Sequence, residues 1–224
     1  MNINVVTLFP EMFEALNASL IGKAQENNLV DIKIHNLRDY SKNKHKKCDD
    51  YPFGGGAGMV MSVQPIYDCI TAVSGKKARR IYLSPQGRKL NQNIVKELSQ
   101  YDELVLLCGH YEGIDERAIE LCIDEEISIG DYVLTGGELP AMVLIDAICR
   151  YLPGVLHNDE SVVSESFTTD VLEYPQYTRP QEFMGKKVPE VLISGNHQKV
   201  DEWRREQSLI RTKQKRPDLL DRGE

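Results

Sequence analysis

No run in this 224-residue chain approaches the 18 or more apolar residues that a membrane helix needs. Its first residues, MNINVVTLFP, lack the basic region ahead of a greasy stretch that marks a signal peptide. A soluble, cytoplasmic protein is therefore expected. Cysteine is sparse: Cys48, Cys69, Cys108, Cys122 and Cys149 are scattered, odd in number and form no CxxC pair. That argues against both a disulfide framework and a zinc site, and the five are expected to be small core residues in a reducing compartment. The histidines, at 35, 45, 110, 157 and 197, show no HExxH or similar ligand spacing. There is no GxxxxGK[ST], which speaks against a P-loop nucleotide enzyme. GGGAG (residues 54–58) literally contains GxGxG, but KKCDDYPF precedes it where a Rossmann motif needs an apolar strand. That stretch is read as a tightly turning loop or as a grip on substrate, with neither favoured.

What is present is an ordinary globular composition, 41% hydrophobic and 27% charged, long enough for one substantial core and a small appended domain. The net charge of −7 is unevenly spread: residues 171–224 hold 11 Lys and Arg against 9 Asp and Glu, so the deficit lies entirely before them. Two stretches are locally basic, residues 38–47 (RDYSKNKHKK) and residues 199–216. Focused patches of this kind can hold a polyanion on an acidic protein, because contacts beyond a Debye length of about 8 Å are largely screened. Each could equally be a solvated face.

Residues 1–150 alternate short β-rich runs with amphipathic segments. Residues 2–8 read as a strand, followed by a helix from Pro10 to about residue 28 and a second strand over 30–35, VDIKIH. Apolar runs at 80–83, 104–108 and 126–129 are further buried strands, with helices at about 64–73, 91–99, 114–122 and 138–151. This βα rhythm predicts an α/β fold, a mainly parallel sheet with helices on both faces. Beyond residue 151 the rhythm stops; residues 153–190 carry four prolines and no periodicity, as irregular structure would. A last helical region begins near Asn196, a plausible N-cap, and carries Val200, Trp203, Leu209 and Ile210 among many basic residues. The expected domains are residues 1–155, a linker over 156–170 and a small basic helical domain over 171–224.

Three glycine-bearing loops follow three of the strands: SPQG (84–87), GHYEG (109–113) and residues 130–140 after EISI. In parallel sheets, ligands bind where such loops converge beyond the carboxyl ends of the strands. One such loop is weak evidence, but three in succession point to a common pocket.

The strings YLSPQG (82–87), HYEGIDER (110–117) and ISIGDYVLTGGELPAM (127–142) are long and unusual. With LFPEMF (8–13), DDYPFGGGAGM (49–59), PQYTRP (175–180), VLISGNH (191–197) and WRREQSLIRT (203–212), they resemble, in order over nearly the whole chain, the bacterial tRNA (guanine-37-N1)-methyltransferases of the knotted SPOUT class. The resemblance implies a deep trefoil knot that binds S-adenosylmethionine (AdoMet), which pattern reading alone would never propose because knots are nearly absent from proteins. It implies that Tyr82, Leu83 and Pro85 line the site from the first loop, and Gly109, Tyr111 and Gly113 from the second. The third would contribute Ile129, Gly130, Asp131, Tyr132, Val133, Leu134, Gly136, Gly137 and Pro140. Taken alone, Tyr132 and Leu134 read as ordinary core residues.

Guanine N1 carries a proton at neutral pH, so its attack on a methyl group requires a general base, and a fixed cation would stabilise the charge that develops on O6. The resemblance assigns these roles to a carboxylate in an Asp-Ser-Phe string and to an arginine after the preceding helix. Here they correspond to Glu165, in Glu165-Ser166-Phe167, and Arg150, in CRYLPG. Glu for Asp keeps the carboxylate but moves it by about a bond length, and misplacement of about 1 Å can cost ~10²-fold in rate. Without the resemblance, Glu165 is a solvated acid and Arg150 a helix C-terminal cation. Glu112 resembles a residue that contacts the target guanosine, and a magnesium ion is implied among the acids of residues 112–131, with no ligands assigned. Lys44, Lys46, Arg204, Arg205 and Arg211 are the expected tRNA phosphate contacts. The resemblance further implies a homodimer, with cofactor on one subunit and Glu165 and the C-terminal domain from the other. The chain ends soon after RPDLL (216–220), where members of this family commonly continue, so a missing or shortened terminal helix is expected. Two other readings stay open: a related SPOUT enzyme acting on rRNA or another tRNA position, and a binding module that has lost catalysis.

Overall fold

A computed structural model of the chain describes residues 1–156, 166–167 and 171–220. Five strands form one wholly parallel sheet: β1 (Asn2–Thr7), β2 (Asp31–Asn36), β5 (Arg79–Lys89), β6 (Glu103–Cys108) and β7 (Glu125–Ser128), in the order β2-β1-β6-β5-β7. β3 (Asp49–Asp50) and β4 (Val60–Met61) make a separate antiparallel ribbon. The central strands NINVVT and ELVLLC are buried at nearly every position, as strands covered on both faces must be.

Side chains of successive strand residues leave the sheet on opposite sides, and each side has its own core. Ile3, Val5, Ile81, Leu83, Leu104 and Leu106 pack with α1 (Ser19–Glu26), α3 (Gln92–Leu98) and α5 (Glu138–Cys149). Val6, Tyr82, Val105 and Leu107 pack with α2 (Val63–Val73) and α4 (Glu116–Cys122). All five cysteines are buried and unpaired. α5 (ELPAMVLIDAIC) is apolar on most of its circumference and buries Ala141, Leu144, Ile145, Ile148 and Cys149, which fixes its N-terminus against the sheet.

The helix predicted from Pro10 to about residue 28 is two. A 3-10 helix over Pro10–Asn17 ends at Ala18, which is extended (φ −110°, ψ 167°), and α1 then starts at Ser19. The turn-prone Asn17 and Ser19 flank the break, and the Leu16 carbonyl accepts from Gln25 Nε2 at 2.9 Å. Among the described residues, no helix is long and apolar enough to cross a membrane.

The chain divides into two compact units, Met1–His157 and Asn158–Glu224. In the second, the stretch expected to be irregular contains a hairpin of β8 (Glu182–Phe183) and β9 (Lys186–Lys187), closed at Met184-Gly185, both with positive φ. α6 (Glu190–Ile193) precedes α7 (His197–Lys215), which Asn196 caps by accepting from Lys199 N at 3.1 Å. α7 packs through Ser208 and Thr212, whose hydroxyl accepts from Leu172 N at 2.9 Å; Leu209 and Ile210 lie outward.

Candidate functional site

The first loop expected at the site is not a loop. β5 continues through residues 84–87 as a bulge, so Ile127 of β7 pairs with Leu83 before it and with Arg88 after it. The Ser84 hydroxyl accepts from Gln86 N at 3.1 Å within the bulge. Gly87 is required there because a Cβ would lie 2.3 Å from Ile127 N. Short apolar runs show where a strand starts, but a Ser-Pro-Gln-Gly sequence looks like its end, and pairing with β7 overrides that local signal.

The second segment turns off β6 at Gly109, with Gly113 N donating to His110 O at 3.2 Å. β4 braces it: Met61 N donates to Gly113 O at 3.0 Å, and Glu112 N donates to Met59 O at 3.1 Å. The DDYPFGGGAGM string is thus β3 and the glycine-rich tip that leads into β4, and Phe53 is fully exposed on that tip. The IDER part of HYEGIDER is a helix start, in which Asp115 caps α4 by accepting from Arg117 N at 3.0 Å.

The third segment leaves β7 and returns across the end of β6. Gly137 N donates to Gly109 O at 2.8 Å, and His110 bridges Gly136. The approach is so close that a Cβ on Gly137 would lie 2.7 Å from Cys108 Cα and 2.9 Å from Gly109 N.

These three segments enclose one cavity of about 340 Å³, within the range of small-molecule sites. Its lining includes Tyr82, Leu83 and Pro85 from the first segment, and Gly109, Tyr111, Glu112 and Gly113 from the second. From the third come Ile129, Gly130, Tyr132, Val133, Leu134, Gly136, Gly137 and Pro140. Tyr132 and Leu134 are 56% and 38% exposed, so neither is a core residue. Asp131 is the exception: it turns outward and accepts from Lys89 Nζ at 2.7 Å instead of lining the cavity. Burial, with Glu126 and Glu116 nearby, pushes the Tyr82 phenol up to about 12, so it is a neutral wall of the site.

Several lining residues, Ser84 and His110 among them, had no sequence signal beyond their neighbours. These two belong to the bulge and the turn. Glu138, directly after Gly137, is 1% exposed, and its Oε1 accepts from Thr7 Oγ1 at 2.8 Å. A Glu at a helix start ordinarily faces solvent, so nothing in the sequence pointed to burial.

The remaining expected residues lie elsewhere. Arg150 ends α5, some twelve residues or roughly 18 Å of helix beyond Glu138, and does not line the cavity. Glu165 falls outside the described residues. Lys44 and Lys46 are exposed on the loop before β3, with Lys46 paired to Asp39 at 2.8 Å. Arg204, Arg205 and Arg211 belong to α7 of the second unit, where the Arg204 guanidinium lies 4.9 Å from the Tyr174 ring centre. Much of the acidic run over 112–131 is held in ion pairs, Asp124 with Arg80 at 2.6 Å and Glu125 with Arg79 and Arg88 at 2.8 and 3.1 Å. Among the described residues no three His, Cys, Asp or Glu side chains converge as a metal site, so no magnesium ligand is assigned.

A family model described as tRNA (Guanine-1)-methyltransferase TrmD matches residues 1–222. Among curated proteins, the tRNA (guanine-N(1)-)-methyltransferase of Ruminiclostridium cellulolyticum is 59% identical over 99% of this chain and 97% of its own length. The protein of the same name from Clostridioides difficile is 56% identical over 98% and 97%, and that from Clostridium acetobutylicum 54% over 99% and 92%.

Proposed function

The chain belongs to the tRNA (guanine-1)-methyltransferase family, and on that premise we propose that it methylates N1 of guanosine 37 in tRNA with AdoMet as donor. The observation that carries this reading is the convergence of three strand-end segments on one cavity, lined by apolar side chains such as Leu83, Ile129 and Leu134 and by Gly109, Gly113, Gly130, Gly136 and Gly137. The fit to AdoMet rests on Leu83, Ile129 and Leu134 as walls for a purine, and on a backbone brought close by Gly109 and Gly137. When bound, AdoMet supplies an electrophilic methyl group. The return of residues 130–137 across the end of β6 is in keeping with the family's trefoil knot, which belongs to the same reading.

Glu165 takes the proton from guanine N1, and Arg150 stabilises the charge that this pushes onto O6. Glu112, on the cavity rim, contacts the target nucleotide. The base must leave its stack to be reached, so recognition rests on its edges while Lys44, Lys46, Arg204, Arg205 and Arg211 hold phosphates. The distance from Arg150 to the cavity along α5 favours a homodimer in which the second copy supplies Arg150 and Glu165. A cytoplasmic location follows from a tRNA substrate. A pair of tRNA transcripts tests the specificity: guanosine at position 37 is methylated, and adenosine there abolishes the reaction. Full activity on the adenosine transcript contradicts it.

A further inference from the structure

Beneath the cavity lies a buried carboxylate that proton removal and phosphate binding leave unused. Glu138 opens α5, and its Oε1 accepts from Thr7 Oγ1 at 2.8 Å, while Thr7 Oγ1 accepts from Phe9 N at 2.9 Å. The Phe9 ring lies 4.8 Å from the ring of His110, which lines the cavity. The second carboxylate oxygen, Oε2, stands 3.9 Å from His110 Nδ1, and that Nδ1 is closed to solvent with no hydrogen-bond partner. The remaining neighbour, Cys108, is fully buried, and its thiol is pushed well up by burial and then by the charge of Glu138.

Gly136 makes this meeting possible. A Cβ there would lie 2.3 Å from Glu138 Oε2 and 2.5 Å from His110 Nδ1, so any other residue would wedge the two apart. Tying α5 to β1 needs only an acceptor for Thr7, which a neutral glutamine would provide. A buried charge is costly, and what the carboxylate adds is a second acceptor facing Nδ1.

We propose that Glu138 is a positioning residue that holds the proton on His110 Nδ1, so that the Nε2 lone pair accepts a hydrogen bond from the exocyclic amino group of a purine in the cavity. A neutral imidazole keeps its proton on the nitrogen that faces an acceptor, and the other nitrogen becomes the acceptor. Closing 3.9 Å to hydrogen-bond distance takes about 1 Å of side-chain movement. The inference rests on the methyltransferase reading, in which two purines carry such an amino group: the adenine of AdoMet and the target guanine.

The test uses the full chain labelled with ¹⁵N-histidine, with the His110 signals assigned from a His110→Asn variant. Long-range proton–nitrogen spectra are expected to show the Nδ1–H tautomer in the unmodified protein. Glu138→Gln, which keeps an acceptor for Thr7, shifts His110 toward Nε2–H, and Gly136→Ala does the same. If adenine is the ligand, Glu138→Gln weakens AdoMet binding about 10-fold by calorimetry, one hydrogen bond's worth. If guanine is the ligand, AdoMet affinity holds and kcat/KM for tRNA falls by a similar factor. An Nε2–H tautomer in the unmodified protein overturns the proposal, as does a Glu138→Gln variant with the tautomer, AdoMet affinity and kcat/KM for tRNA all unchanged. The spectrum and the calorimetry need no turnover, so the tautomer and the adenine arm are decided even if the protein proves inactive on tRNA.

Discussion

Gly137→Ala isolates the close approach on which the cavity depends. Gly137 has φ −83° and ψ −3°, a conformation alanine adopts freely, so backbone strain plays no part. Removing a flexible glycine at a compatible position should by itself stabilise a protein by about 0.4–1 kcal/mol. The new Cβ, however, would meet Cys108 Cα at 2.7 Å, Gly109 N at 2.9 Å and Cys108 C at 3.2 Å. All three are backbone atoms of β6 and its end, which no rotamer change can move. Relief requires residues 130–137 to back away by roughly 0.5–1 Å, which stretches the 2.8 Å bond from Gly137 N to Gly109 O. Overpacking of this kind costs about 1–3 kcal/mol. The net expectation is a loss of about 1–2 kcal/mol, read as a fall in Tm of about 3–6 °C for a unit of this size. AdoMet affinity is expected to fall by at least about 10-fold by calorimetry, because the moved segment carries Tyr132 and Leu134. A variant that melts higher and binds AdoMet normally would refute the reasoning.

Other outcomes follow from the proposed roles of Glu165 and Arg150 and from burial of the thiols. Glu165→Gln is expected to abolish methylation with AdoMet binding intact, because only the base is removed; single-turnover assays and calorimetry check it. Arg150→Ala should slow the chemical step more than it weakens tRNA binding, and an unchanged single-turnover rate would exclude it as the stabiliser of O6. All five thiols are buried, so a disulfide reagent at pH 8 should titrate none in the native protein and five after denaturation. Burial raises Cys69 and Cys149 to about 12, and Tyr82 likewise. Their ordinary values are 9.0 for the thiols and 10.0 for the phenol, so the unfolded chain loses those protons first. Their contribution is therefore complete below pH 9 and lost as pH rises toward 12, and the denaturation midpoint should fall across that window.

The parallel sheet was legible because β-rich runs alternate with helix-length segments, and LVLLC reads as the continuous apolar run of a strand buried on both faces. The cavity was legible because glycine-bearing segments after strands converge in a parallel sheet, and of the residues expected from the three segments only Asp131 does not line it. The continuation of β5 through SPQG was not, since pairing with β7 is a long-range effect with no local signature. Nor was the break at Ala18, where amphipathic spacing runs on across a chain that does not. The meeting of Glu138 with His110 was hidden most deeply. It depends on a glycine whose missing side chain brings together residues 28 positions apart, and spacing along the chain says nothing of that.

The central claim is tested most directly by locating the methyl group. A tRNA with guanosine at position 37 is incubated with the protein and isotopically labelled AdoMet, then digested and mapped nucleotide by nucleotide. The expected result is one labelled product, N1-methylguanosine at position 37. Label at any other nucleotide, or none while AdoMet binding is measurable, would contradict the account.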